Sequence, residues 1–226
     1  MHNAVKLYRP RWQKVHRLLP SQFPPINLFE QVANSEDLDL IFAIEALTND
    51  RLKEEVGDLC LVPVEDRVSG QGTTPIMAAF THIGVATRFT DGNYGVYYGS
   101  RTLKTALAET IYHREKFLAA TQEDDTEITM RCYINQITLA LHDIRSSEYH
   151  DLHTDDYAPP QAFAKSMRQL DSNGLIYHSV RDAGGECIAV FKPKALTPVV
   201  QAGHYKYLWN GEKQKIEHVL EVKLIQ

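Results

Sequence analysis

The stretch RFTDGNYGVYYGSRTLKTALAETIYHREKF, residues 88–117, decides how this chain is read. Asp91-Gly92-Asn93 is a turn cluster, and Gly95-Val96-Tyr97-Tyr98 is a β-branched and aromatic run of strand length. The second half has helical spacing. Ser100 or Thr102 can cap a helix, and Leu103, Ala106, Leu107, Thr110 and Ile111 recur on one stripe. Glu109 lies two residues beyond Leu107, so it projects roughly 200° away from that stripe. Thr105, Tyr112, His113 and Lys116 share its side. Taken alone, a glutamate in that position is a solvated face residue. The rest of the chain gives it a second reading.

Working outward, the 226 residues suffice for one large domain with a substantial core. A hydrophobic fraction of 43% and a charged fraction of 23% are those of an ordinary globular protein. With a net charge of −5 and a pI near 6.1, the chain has no electrostatic footprint for nucleic acid. The N-terminus lacks an apolar signal core and no run approaches membrane-spanning length, so a cytoplasmic protein is expected. Cys60, Cys132 and Cys187 are odd in number, far apart and set among apolar residues, which predicts reduced, buried thiols.

Upstream, Val15-His16-Arg17-Leu18-Leu19 is a short apolar run whose arginine needs an anionic partner if buried, or else points to water. Residues 26–58 are helical by pattern and predict an insert or cap. Gly70-Gln71-Gly72 lacks the second half of either nucleotide-loop pattern. Pro75 to Phe80 predicts a short buried helix with proline in its first turn.

Downstream, Ile128 to Asn135 alternates as a half-buried strand, and Leu139 to Asp143 continues as an extended piece. His150 to Asp156 carries metal-ligand residue types without ligand spacing, so no metal is expected there. Pro160 to Leu170 is an amphipathic helix with Phe163, Met167 and Leu170 on one stripe. Leu175 to Val180 is a strand that sets Tyr177 and Ser179 on one face. Arg181 to Gly185 turns it into the return strand Cys187 to Phe191. Ser179 has no nucleophile elbow around it, which makes it a hydroxyl for holding a ligand rather than an acyl-transfer nucleophile. Asn210-Gly211 predicts a type I′ hairpin turn. No linker or repeat appears, and the element order predicts one α+β domain over residues 1–226.

Three pieces together resemble the RES-domain family, the toxins of bacterial toxin–antitoxin pairs. They are Arg88 in TRFTDG followed by Gly95-Val96-Tyr97-Tyr98, Glu109 in TALAETIYHRE, and Ser179 in GLIYHSVRDAGGECIAVF. The resemblance implies an ADP-ribosyltransferase-like split mixed β-sheet, with the N-terminal helical insert at 26–58. It implies a cleft for NAD⁺ as substrate rather than recycled cofactor. On that basis Glu109 is the catalytic carboxylate and Arg88 holds a phosphate of the dinucleotide, with Arg17 doing similar work. Tyr98 stands near the nicotinamide ribose with Tyr97 as its rival, and Ser179 positions the nicotinamide end. The resemblance also implies a partner, an antitoxin with an Xre-like helix-turn-helix domain that occludes the cleft.

The chemistry suits those residue types. Nicotinamide leaves as a neutral base, and a carboxylate stabilises the oxocarbenium-like ribose that forms. Arginine pairs bidentately with phosphate oxygens. Three acceptors stay open: water, inorganic phosphate, or a side chain of a host protein. A non-catalytic binding module, in which Arg88, Glu109 and Ser179 are unrelated, is the reading from a different class.

Overall fold

A computed structural model describes residues 5–21 and 57–223. The helical insert expected over 26–58 lies outside the described residues except for Gly57 and Asp58, and neither of these is helical. Among the described residues nine strands make one mixed sheet: β1 (Leu7–Tyr8), β2 (Val15–Pro20), β3 (Tyr97–Ser100), β4 (Thr126–Asn135), β5 (Leu141–Asp143), β6 (Gly174–His178), β7 (Glu186–Val190), β8 (Val200–Asn210) and β9 (Lys215–Val222). Their spatial order is β1-β5-β6-β7-β3-β2-β4-β8-β9. Neighbours run antiparallel except β5 and β6, which run parallel.

The β2–β3 seam is narrow. It consists of the single pair His16↔Ser100, whereas β2 pairs with β4 along six residues and β3 with β7 along four. The sheet is therefore two well-laddered halves meeting at a thin seam. Among the described residues three α-helices cover it: α1 (Thr74–Thr81), α2 (Leu103–Thr121) and α3 (Ala158–Gln169).

Strand alternation sorts the core by face. On one face Val15, Tyr97, Ile176, Ile188 and Val190 pack with Ile76, Met77 and Phe80 of α1. The other face carries two clusters. Leu18, Met130, Cys132 and Tyr207 lie under Ala106 of α2, while Leu175, Tyr177, Cys187 and Ala189 lie under Ala164 and Met167 of α3. Burying each such leucine or methionine stabilises the fold by about 1.5–3 kcal/mol. Helices α2 and α3 cover different halves of this face and flank a strip along β3, termed the furrow.

Several boundaries differ from expectation. The strand expected at Gly95 starts at Tyr97, because residues 94–96 run past α1. A Cβ on Gly95 would fall 2.3 Å from the Ala79 carbonyl oxygen. β6 stops at His178, so Ser179 and Val180 belong to the following turn. Leu170 lies beyond α3 and is 73% exposed, off the stripe of Phe163 and Met167. The β8–β9 hairpin has a four-residue loop in place of the type I′ turn. Asn210 pairs with Lys215, and its Oδ1 accepts from the Lys213 amide at 2.8 Å, so its side chain closes the loop instead of entering a left-handed turn. Cys132 and Cys187 are buried, but Cys60 is exposed in the 3₁₀ turn Leu59–Leu61 that Asp58 caps.

Candidate active site

Helix α2 begins where β3 ends. Thr102 caps it, its hydroxyl accepting from the Thr105 amide at 3.2 Å, and the stripe read from the sequence faces the sheet. Thr110 Oγ1 lies 2.7 Å from the Tyr207 hydroxyl on that side. Glu109 is thereby turned away from the α2 core contact and toward the furrow.

The 179–185 turn docks against the first turns of α2. Asp182 accepts from Lys104 Nζ at 2.7 Å and from Thr105 Oγ1 at 2.8 Å. These bonds hold its carboxyl below the usual aspartate range, Lys104 foremost. Gly185 permits the approach, since a Cβ there would fall 2.7 Å from Thr105 Cγ2. Docking delivers Ser179 to Glu109, 70 residues away in sequence, and Ser179 Oγ donates to Glu109 Oε1 at 2.6 Å. The same oxygen accepts from the amides of Arg181 at 3.1 Å and Asp182 at 2.9 Å. With both acceptor directions filled by N–H groups, the hydroxyl proton points at the carboxylate. Ser179 thus ties one Glu109 oxygen to the 179–185 turn.

The floor beneath this pair is neutral. Burial pushes the Cys187 thiol up to about 12, and the Glu109 charge adds to the effect. Burial likewise carries the Tyr177 hydroxyl well above its ordinary value, followed by the influence of Cys187 and Glu109. Both groups therefore stay uncharged near neutral pH.

Arg88 comes to the same side of the sheet on the tip of a tight hairpin bridged by Thr87 and Thr90. Its Nη1 donates to the carbonyls of Leu152 at 3.1 Å and Thr154 at 2.5 Å, and its guanidinium lies 5.0 Å from the Tyr157 ring centroid. Its Nε and Nη2 make no hydrogen bond among the described residues, and its charge bears on the Tyr177 hydroxyl together with that of Glu109. Tyr98 holds the hairpin. Its hydroxyl lies 2.7 Å from Thr87 Oγ1 and accepts from the Phe89 amide at 3.0 Å. Burial raises this phenol far above its ordinary value.

Arg17 and Tyr97 are not brought to Glu109. Residue pairing places both on the opposite face, with Val15 and α1. There Arg17 stacks on the Tyr97 ring at 4.4 Å and donates from Nη1 to the Tyr98 carbonyl at 2.9 Å, while the Tyr97 hydroxyl donates to Asn135 Oδ1 at 3.2 Å. Of two adjacent tyrosines in a strand only one can face the furrow, and it is Tyr98.

The 150–156 segment is a wall of the site. Its 3₁₀ helix Ser147–His153 ends in a histidine whose Nδ1 lies 2.8 Å from the Tyr149 carbonyl and whose Nε2 accepts from the His178 amide at 3.2 Å. Those partners define a neutral imidazole, and burial lowers its pKa accordingly. Among the described residues no group of three or more His, Cys, Asp or Glu stands close enough to hold a metal. Tyr112 and Arg181 complete the walls. Neither stood out in the sequence, because Arg181 sits in a polar turn and Tyr112 reads as a helix-surface aromatic.

The RES domain family model matches residues 65–210, more than half of the chain, and the chain belongs to that family. The matched span holds Arg88, Tyr98, Glu109 and Ser179 but not Arg17. A curated relative, the "Uncharacterized protein y4oC" of Sinorhizobium fredii (strain NBRC 101917 / NGR234), is 28% identical over 199 residues, 88% of this chain and 84% of its own. Among solved structures, the M. tuberculosis MbcT–MbcA toxin–antitoxin complex has a chain similar at a TM-score of 0.38 and 13% identity, covering 57% of this chain and 74% of that one. That likeness is too slight to say more.

Proposed function

We propose that this chain is the toxin of a toxin–antitoxin pair and that it cleaves the nicotinamide–ribose bond of NAD⁺. One observation carries the reading. Glu109 and Ser179 are far apart in the chain, yet they meet at 2.6 Å in the furrow beside the sheet seam, on the side to which Arg88 also comes. Membership of the RES domain family supports the assignment of those three residues. On this reading the two sheet halves form an ADP-ribosyltransferase-like split sheet, and the dinucleotide lies across their join.

The proposed step breaks the bond between the ribose C1′ and the pyridinium nitrogen, and the electron pair leaves with nicotinamide. Glu109 faces the resulting oxocarbenium and stabilises its charge, while the neutral floor of Cys187 and Tyr177 keeps other anions away. Ser179 acts through Glu109 by holding the carboxylate in one orientation. Arg88 keeps two nitrogens for a phosphate oxygen. Tyr98 sets the hairpin that carries Arg88, and Arg17 with Tyr97 belongs to the structural face. Water or inorganic phosphate then takes the ribose carbon, and the NAD⁺ pool falls. An Xre-like antitoxin restrains the enzyme by covering the furrow.

Inducible expression in bacteria tests the toxin claim. Wild type is expected to lower cellular NAD⁺ and stop growth, while Glu109→Gln, at equal soluble level, does neither. Arrest with an unchanged NAD⁺ pool contradicts depletion. Label from NAD⁺ appearing on protein in a lysate would then mark modification of a host protein.

A further inference from the structure

One ion pair spans the furrow and takes no part in the step above. Arg181 follows Ser179 by two residues. Its guanidinium lies 3.4 Å from the centroid of the Tyr112 ring, and Tyr112 is three residues beyond Glu109 on α2. At its edge, Nη2 donates to Asp155 Oδ1, from the loop leading into α3. The two partners are unequally built in. The Arg181 side chain is 15% exposed and held by the aromatic ring and by its turn, whereas the Asp155 side chain is 67% exposed. Two further cations, Arg88 and Lys116, bear on the same carboxylate and help to hold it below the usual range, Arg181 foremost. Lys116 Nζ shares the Tyr112 ring with Arg181, 5.2 Å from its centroid, and Arg88 reaches the carbonyl of Thr154, the neighbour of Asp155.

We infer that Arg181 is the diphosphate seat of the furrow and that Asp155 is a displaceable internal anion occupying it in the free protein. This rests on the NAD⁺ reading, and it adds to Arg88 a second arginine for the diphosphate, one outside the Arg88, Glu109 and Ser179 set. The geometry favours exchange. An arginine stacked on an aromatic ring keeps its donor edge rigid, and that edge fits two phosphate oxygens as well as a carboxylate. A diphosphate brings more charge than Asp155 and meets the same three cations. Ser179 and Arg181 share one turn, so seating the diphosphate on Arg181 also registers the dinucleotide against the Glu109–Ser179 pair. Asp155 adds selectivity, because a ligand without phosphate cannot displace it.

Calorimetric titration with ADP, and with adenosine as the phosphate-free control, tests this on the full chain. Asp155→Asn removes the competing anion and is expected to tighten ADP binding about two- to fivefold, the worth of an exposed ion pair. Arg181→Gln is expected to weaken it about tenfold to a hundredfold, with Arg181→Lys in between. Adenosine binding should not respond to residue 155. Equal ADP affinity in wild type, Asp155→Asn and Arg181→Gln, or no ADP binding at all, overturns the seat. Asp155 is exposed, so its variant answers even if Arg181→Gln fails to fold. Failure of the two readings is separable. NAD⁺ cleavage with unchanged KM in both variants refutes the seat alone. Residue-dependent ADP binding in a protein that never releases nicotinamide refutes the cleavage alone.

Discussion

Replacing Ser179 with alanine isolates the contact on which the proposed site depends. The change removes one donor to Glu109 at 2.6 Å and the acceptor of two turn amides at 3.1 and 2.9 Å. A hydrogen bond to a charged group contributes about 1.5–3 kcal/mol, and each neutral turn bond about 0.5–1.5 kcal/mol before water replaces it. The turn is half-exposed, so water recovers much of the amide loss, leaving a net destabilisation of about 2 kcal/mol. For a domain of this size that lowers Tm by about 4–8 °C. Glu109 keeps its position on α2 but loses its orienting donor. Turnover should therefore drop about 10- to 100-fold while KM for NAD⁺ stays within about twofold. Ser179→Thr, which keeps the hydroxyl, should recover most of kcat. Nicotinamide release under steady-state conditions, with unfolding scans on the same samples, measures both effects. A raised KM with kcat unchanged would refute the reasoning, because it would mean that the serine binds substrate directly.

Gly185→Ala should produce a similar loss by another route, since the new methyl meets Thr105 and pushes the turn away from α2. A drop in kcat without loss of the folded circular-dichroism signal checks it. Tyr98→Phe leaves Thr87 Oγ1 and the Phe89 amide without a shared partner and should cost about 1–3 kcal/mol by urea unfolding. Tyr97→Phe, on the other face, should leave kcat within about twofold, as one lost neutral hydrogen bond shifts stability more than chemistry. Acid should weaken the fold through the Asp143–Arg145–Glu186 network. Arg145 holds Asp143 below its ordinary 3.8, and hydrogen bonds from Arg101 and Arg145 outweigh burial to hold Glu186 below its ordinary 4.5. The unfolded chain takes up these protons first, so the contribution is present above about pH 4.5 and fades as pH falls toward the lowered values. Urea midpoints from pH 7 to pH 3 should decline less steeply in Asp143→Asn than in wild type.

What the sequence disclosed was mostly local. The Thr102 cap, the apolar stripe of α2 and the Asp91-Gly92-Asn93 turn depend on neighbours within a few residues, and they appear where the pattern put them. The Glu109–Ser179 contact depends on how a turn 70 residues away docks. The bonds responsible, Asp182 to Lys104 and Thr105, leave no trace in periodicity. Strand parity misled in a related way. Continuing the alternation of β6 through Val180 treats Ser179 as a strand residue, while the ladder ends at His178. That Tyr98 rather than Tyr97 faces the Glu109 side, and that Arg17 lies on the other face, depends on pairing register, which the family resemblance does not supply. Arg181 and Asp155 were passed over as ordinary turn and loop charges. Their meeting depends on tertiary structure alone.

The most direct test of the account is nicotinamide release from NAD⁺ by the purified chain, free of any partner and followed by proton NMR. Wild type and Glu109→Gln would be compared with and without inorganic phosphate. The account predicts release by wild type and a fall of about 10²- to 10³-fold in the variant, the scale of losing a group that stabilises transition-state charge. Release at equal rates from both proteins would contradict the role of Glu109. No release from wild type in any buffer would contradict the cleavage itself.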